Sequence, residues 1–193
     1  LNWQNMFVLF SNRSWEPIYG VDVLLKGFHR ALKSVPSLRL ILAGTGSEEK
    51  KLKRYIEKHS LQGLIHIPGR ISQQELPLYY RNADCFVSAS HCDGSSVSLL
   101  EAMACARPVI VSNIAGNTEW VEDGRQGFIF RDSSATDLAE KMIAMASCDK
   151  KILLQMQNEN RRKTQEKADW SRNSAGILEA YGKAIRHAGS KSS

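Results

Sequence analysis

The segment Ser88-Ala89-Ser90-His91-Cys92-Asp93-Gly94-Ser95-Ser96-Val97-Ser98-Leu99-Leu100-Glu101-Ala102-Met103-Ala104 sets two carboxylates on either side of a run of small residues. Gly94, Ser95 and Ser96 allow backbone N–H groups to come close to an anion. A helix is predicted to follow, and its first N–H groups and its dipole both favour a phosphate. Glu101 lies four residues beyond Val97, about one helical turn, where a carboxylate can accept two hydrogen bonds from a vicinal diol such as that of a ribose. Asp93, at the loop's start, then faces whatever hangs beyond the phosphates. Ribose, phosphates and an attached sugar fit along the segment in that order. A plainer reading uses the same residues, with Asp93 as a turn residue and Ser96 as an N-cap, because loops feeding helix N-termini are common in α/β proteins. The residues alone leave both readings open.

The elements around this segment decide where it sits. Met6 to Phe10 reads as a buried strand closed by Ser11-Asn12-Arg13, and Val21, Leu24, Leu25, Phe28 and Leu32 have the spacing of a helix face that Pro36 stops. Strands follow at Leu38 to Ala43, Ile65 to Ile67, Cys85 to Val87 and Val109 to Val111, with Ile129-Phe130 as a candidate sixth. Helices are predicted at Glu48 to His59, Gln73 to Arg81, Val97 to Cys105, Thr136 to Ala146, Lys150 to Lys167 and Ser174 to Arg186. Strict alternation, with strands apolar on both faces, means an α/β fold with a parallel sheet covered by helices on both sides. Such sheets bind ligands at the carboxyl ends of their strands. That selects four loops: Ser11 to Gly20, Gly44 to Ser47, Pro68 to Ser72 and Ser88 to Ser96. The last helix lies outside the alternation and is free to bridge to a partner domain.

Asp93, seven residues, then Glu101 in Leu-Glu-Ala-Met-Ala, followed by Arg107-Pro108-Val109-Ile110-Val111, is similar to the acid-x7-Glu signature of the retaining glycosyltransferases of family four, which have two Rossmann-like domains (the GT-B type). The likeness continues through Ala43-Gly44-Thr45-Gly46, Gly69-Arg70, Gly116-Asn117-Thr118-Glu119-Trp120-Val121 and Asp123-Gly124-Arg125-Gln126-Gly127-Phe128, and so spans about Met6 to Arg186. The resemblance implies a Rossmann-like domain over residues 1–186, the C-terminal donor-binding half of such an enzyme, with a polar tail at 187–193. It implies that Glu101 holds the ribose hydroxyls and that Asp93 acts on the donor sugar near the reacting carbon. Gly94, Ser95, Ser96, Val97 and Ser98 would supply amides to sugar hydroxyls and diphosphate, Arg13 would reach the diphosphate, and Arg70 and Ile71 would receive the base. No cofactor and no metal are implied. The nucleotide sugar, UDP-linked by preference, is a substrate, and a glycan or lipid-linked acceptor in polysaccharide biosynthesis completes the reaction. The acceptor site would belong to an absent N-terminal Rossmann-like domain, leaving the chain inactive alone. A nucleotide-sugar epimerase of the same architecture and a non-enzymatic interaction module are the rival readings.

Three departures mark this chain. Asp93 stands where most relatives have Glu, one methylene longer. Gly94-Ser95-Ser96 replaces a Gly-Phe-Gly. Tyr19, before Gly20, stands where a Lys accompanies the Arg, which removes a charge-assisted contact to diphosphate although a phenol can still donate.

Composition narrows the remaining classes. In 193 residues, 42% hydrophobic and 24% charged content suits one globular domain with a full core. No run approaches the length of a membrane span. Leu1-Asn2-Trp3 carries neither a starting Met nor a signal pattern, and the prompt first strand reads as a domain cut from a longer chain. Cys85, Cys92, Cys105 and Cys148 form no CxxC pair and no Cys/His ligand spacing, so free thiols in a reducing cytoplasm are expected. The net charge of +6 invites a nucleic-acid partner, but from Asp149 onward ten basic residues meet five acidic ones, which confines most of the excess to the final helices. Without regularly interleaved aromatics those are solvated faces, and no nucleic acid is expected. The inner face of an anionic membrane or an absent domain accounts for the excess equally. Gly44-Thr45-Gly46 is half of a dinucleotide fingerprint, and Glu48-Glu49 would repel a pyrophosphate there, so a tight turn is expected. Asn117 is expected to cap a short helix, and Trp120 and the Tyr79-Tyr80 pair to pack in the core.

Overall fold

A computed structural model describes residues 2–189. Its six strands are β1 (Phe7–Ser11), β2 (Leu38–Leu42), β3 (Ile65–His66), β4 (Cys85–Ser88), β5 (Val109–Ser112) and β6 (Gly127–Phe130). They form one sheet in the order β3-β2-β1-β4-β5-β6, with every pairing parallel. Successive side chains leave a strand on opposite faces. Leu9, Leu40, Val87 and Ile110 therefore enter one core, and Val8, Phe10, Ile41, Phe86, Val109 and Val111 enter the other.

The first core is roofed by α1 (Val21–Ala31), α2 (Glu49–Lys58) and α6 (Ala135–Ala146), and the second by α3 (Leu76–Asn82) and α4 (Val97–Ala104). A single turn, α5 (Ala115–Thr118), follows β5. The long α7 (Lys150–Lys167) sends Met156 into the first core and lays its last turn beside α4. Asn160, fully buried, donates from Nδ2 to the carbonyls of Arg107 (2.7 Å) and Gln126 (2.8 Å), the residues that lead into β5 and β6. This side chain ties α7 to the edge of the sheet. The final helix, α8 (Trp170–Gly189), leaves the sheet with Trp170, Leu178, Tyr181 and Ile185 exposed.

The α/β class and the alternation stand as read from the sequence. Four details differ, each for a local reason. α3 begins at Leu76 and not at Gln73, because Ser72 folds back onto Glu75, its Oγ donating to Oε2 at 2.6 Å, and Pro77 fits a first turn. Asn117 caps nothing. It lies buried inside α5 and donates to the carbonyl of Ser112 at 3.0 Å, while Ile114 occupies the cap position. α8 begins at Trp170, where Asp169 accepts the amide of Ser171 at 2.8 Å, and not at Ser174. It also runs on to Gly189, so the first part of the expected tail is helical and residues 190–193 lie outside the described ones.

Asn160→Ala should leave the Arg107 carbonyl without its donor and the Gln126 carbonyl with only the longer bond from the Val109 N–H (3.3 Å), and lower stability by about 1–3 kcal/mol, the cost of an unpartnered buried polar group. Urea unfolding checks this as a lower midpoint at unchanged slope.

Candidate functional site

The winding of the sheet reverses between β1 and β4. α1 follows β1 onto one face and α4 follows β4 onto the other, which opens a crevice beyond their carboxyl ends. Arg13 enters it directly after β1. Its Nη1 donates to Ser96 Oγ and Ser98 Oγ, both at 2.9 Å, and its Nη2 donates to Asp93 Oδ2 at 2.5 Å. The guanidinium also lies over the ring of Tyr19, 4.3 Å from its centre. Gly20, after Tyr19, takes φ +58°, a left-handed conformation glycine adopts freely, and starts α1. The expected diphosphate ligand Arg13 is thus held by the expected catalytic acid and by the hydroxyls of Ser96 and Ser98 at the start of α4.

Ser96 occupies the N-cap position of α4, but its hydroxyl faces Arg13 and makes no cap bond. The first turn of α4 therefore keeps its N–H groups without a capping side chain, beside a loop of small residues. Further along α4, Glu101 accepts a hydrogen bond from Tyr80 Oη on Oε2 and one from Gln73 Nε2 on Oε1, both at 2.9 Å. Tyr80 Oη in turn receives Asn12 Nδ2 at 2.9 Å. Burial, and then the neighbouring Glu101, push the Tyr80 phenol far above its ordinary value.

Two adjoining cavities result. One of about 400 Å³ is lined by Arg13, Tyr19, Asp93, Ser95, Ser96, Val97, Ser98 and Glu101, together with Asn12, Ser14 and Gln73. The other, of about 220 Å³, is lined by Arg70 and Ile71 and shares Asn12 and Ser14 with the first. Arg70 is steadied there by Nε donating to Thr45 Oγ1 at 3.2 Å. Gly44, at φ +116°, donates its N–H to the Gly69 carbonyl at 2.8 Å and abuts the backbone of Arg13, so the glycine pair serves as a tight turn between three loops.

The loop of Asp93 to Ser96 is braced from behind. Trp120 Nε1 donates to Ser95 Oγ at 3.3 Å, and a Cβ on Gly116 would lie 2.2 Å from the carbonyl oxygen of Gly94 and 2.5 Å from that of Asp93. His91 is drawn away to Asp132, Nδ1 to Oδ1 at 2.5 Å. Among the described residues no group of three or more His, Cys, Asp or Glu side chains is gathered for a metal, and the four cysteines are unpaired.

With this geometry in place, residues 3–166 match the sequence profile described as glycosyl transferases group 1. The chain belongs to that family. Its relatives include an uncharacterized glycosyltransferase of Methanocaldococcus jannaschii, 28% identical over 86% of this chain and 45% of its own length. The GtfA subunit of a UDP-N-acetylglucosamine–peptide N-acetylglucosaminyltransferase from Streptococcus pneumoniae is 30% identical over 73% of this chain and 27% of its own. The group 1 fold recurs in Anabaena HepE, solved with UDP and glucose, at a TM-score of 0.86 and 20% identity over 94% of this chain and 49% of that one. The chain spans less than half the length of the curated relatives it matches.

This group 1 chain brings together most of the residues that the resemblance singled out. Arg13, Tyr19, Asp93, Ser95, Ser96, Val97, Ser98 and Glu101 share the larger cavity, and Arg70 and Ile71 share its neighbour, while Gly94 lines neither. Sequence reasoning missed Asn12, Ser14, Gln73 and Gly116, and it saw only the packing role of Tyr80 and Trp120. The one signal for Tyr80 is a hydroxyl at a helical position buried enough to take Phe.

Gly116→Ala should cost about 1–3 kcal/mol, the usual strain of overpacking, because the new methyl meets backbone and not a yielding side chain. Urea unfolding measures the loss, and a crystal structure of the variant should show Asp93 and Gly94 displaced toward the cavity.

Proposed function

We propose that this domain is the donor-binding half of a retaining glycosyltransferase that moves a sugar from a nucleoside diphosphate sugar, UDP by preference, to a glycan or lipid-linked acceptor. One observation carries the reading: the crevice at the sheet reversal holds a cation, an uncapped helix start and two carboxylates, in an order that suits phosphate flanked by sugar and ribose. Glu101 accepts the ribose hydroxyls. The base enters the cavity beside Arg70 and Ile71. The amides at the start of α4 and the Arg13 guanidinium take the diphosphate, and their fixed charge stabilises it as it leaves.

The ion pair suggests how Asp93 enters the reaction. A diphosphate competes for the Arg13 donors that Asp93 and the two serines hold, and a carboxylate relieved of its partner turns to the sugar. With one cation already shared, Tyr19 can donate its phenol to a phosphate oxygen in place of the missing Lys. No metal is needed in this scheme. The acceptor site and a surface for the exposed side of α8 would lie on a second Rossmann-like domain. A cytoplasmic setting suits the unpaired thiols, with the basic final helices able to meet the inner face of a membrane. UDP is favoured because HepE was solved with it.

The two carboxylates should separate in the full-length protein. Glu101→Ala should weaken UDP binding by about 1.5–3 kcal/mol, the range for a lost charged hydrogen bond. Asp93→Asn should leave UDP affinity within a few-fold and lower turnover by at least about 10²-fold. Calorimetry and steady-state kinetics read both, and equal loss of UDP binding in the two variants would refute the division of roles. EDTA should leave turnover unchanged; loss restored by Mn²⁺ or Mg²⁺ would transfer the diphosphate charge to a metal.

A further inference from the structure

Tyr80 lies in the last turns of α3, and its ring sits 5.1 Å from that of Phe10 and 5.8 Å from that of Phe86. The residue is 1% exposed. For packing alone a phenylalanine would serve as well, so the hydroxyl is the feature that needs a reason. It bonds to two residues that line the larger cavity, Asn12 and Glu101. Asn12, on the loop after β1, donates Nδ2 to the phenolic oxygen at 2.9 Å, which leaves the single phenolic hydrogen to be placed. Two acceptors are in reach, Glu101 Oε2 at 2.9 Å and the Ser98 carbonyl at 3.2 Å. The carboxylate is both nearer and the stronger acceptor.

The two oxygens of Glu101 are therefore held in different ways. Oε2 is fixed from the core by a buried phenol. Among the described residues Oε1 is held only by Gln73, an exposed side chain on the turn before α3, which an incoming hydroxyl can displace. A glutamate on a helix surface otherwise samples many rotamers, and each one lost on binding costs affinity.

We propose that Tyr80 is a positioning residue for the nucleotide. By fixing Glu101 Oε2 it keeps Oε1 aimed at the ribose diol, and it thereby sets the preference for a ribonucleotide over its 2′-deoxy counterpart. The proposal rests on the reading that Glu101 receives the ribose. The raised phenol keeps its proton throughout the neutral range and so remains a donor there.

The test measures UDP and 2′-deoxy-UDP binding by calorimetry on the full-length protein, its Tyr80→Phe and Glu101→Ala variants, and the double variant. Wild type should prefer UDP by about tenfold or more, the value of one hydrogen bond to a charged group. Tyr80→Phe should cut that preference to about threefold or less while 2′-deoxy-UDP affinity stays within about twofold, since the lost contact is the one the deoxy nucleotide never makes. In the Glu101→Ala background Tyr80→Phe should change UDP affinity by less than about twofold, because a residue acting through Glu101 has nothing left to act on. An unchanged UDP preference in Tyr80→Phe overturns the proposal. Equal weakening of both nucleotides in both backgrounds overturns it too and assigns Tyr80 a purely structural part. Should Glu101→Ala itself leave UDP binding intact, the failure lies with the ribose reading and not with Tyr80 alone.

Discussion

β1 and β4 lie side by side, and the chain leaves these two neighbouring strands toward opposite faces of the sheet, α1 after β1 to one and α4 after β4 to the other. No helix can close the space between their outgoing loops, and this constraint fixes everything at the crevice. It brings Arg13 opposite Asp93 and points the start of α4 at the same space. It also leaves both cavities at the carboxyl end of the sheet, where parallel strands collect the loops. The tight turn at Gly44 and the braces from Gly116 and Trp120 work within that geometry, holding loops at separations a side chain would disturb.

The charge arrangement follows. The larger cavity is lined by one guanidinium and two carboxylates, and the guanidinium is already engaged by Asp93, Ser96 and Ser98. Both partners of the ion pair are largely buried, with side-chain exposures of 12% and 21%, so separating them without a replacement anion would strand a poorly solvated charge. A phosphate is such a replacement. The Asp at position 93 is long enough to reach Arg13 from the loop, at 2.5 Å.

Much of this was legible in the sequence, and the limits have physical causes. The parallel sheet followed from short runs apolar on both faces, because burial on two sides leaves no alternation to confuse with anything else. That Asp93, the small-residue loop and Glu101 share one cavity followed from the acid-x7-Glu spacing, which is local: loop, helix start and Glu101 are placed by one strand-to-helix connection. What escaped was set by contacts across the chain. Tyr80 meets Glu101 and Asn12 only after α3 and α4 pack, and Gly116 meets Gly94 only when β5 lies beside β4. Helix starts were misjudged where side chains rewired the turn, as with Glu75 before α3 and Asp169 before α8. Asn117 was misassigned because its residue type favours caps, whereas its burial beside Ser112 was invisible.

The contacts of Arg13 span long stretches of chain: 80 residues to Asp93, 83 to Ser96 and 85 to Ser98. During synthesis β1 emerges early and has neither β4 nor α4 to pair with. Parallel pairings of this kind require large loops to close before any contact rewards them, which slows folding. The crevice is thus among the last features to assemble. A nascent chain ending before β4 would carry β1 with one edge bare and Arg13 without its acid, a species for which premature strand pairing, and not loss of binding, is the principal hazard.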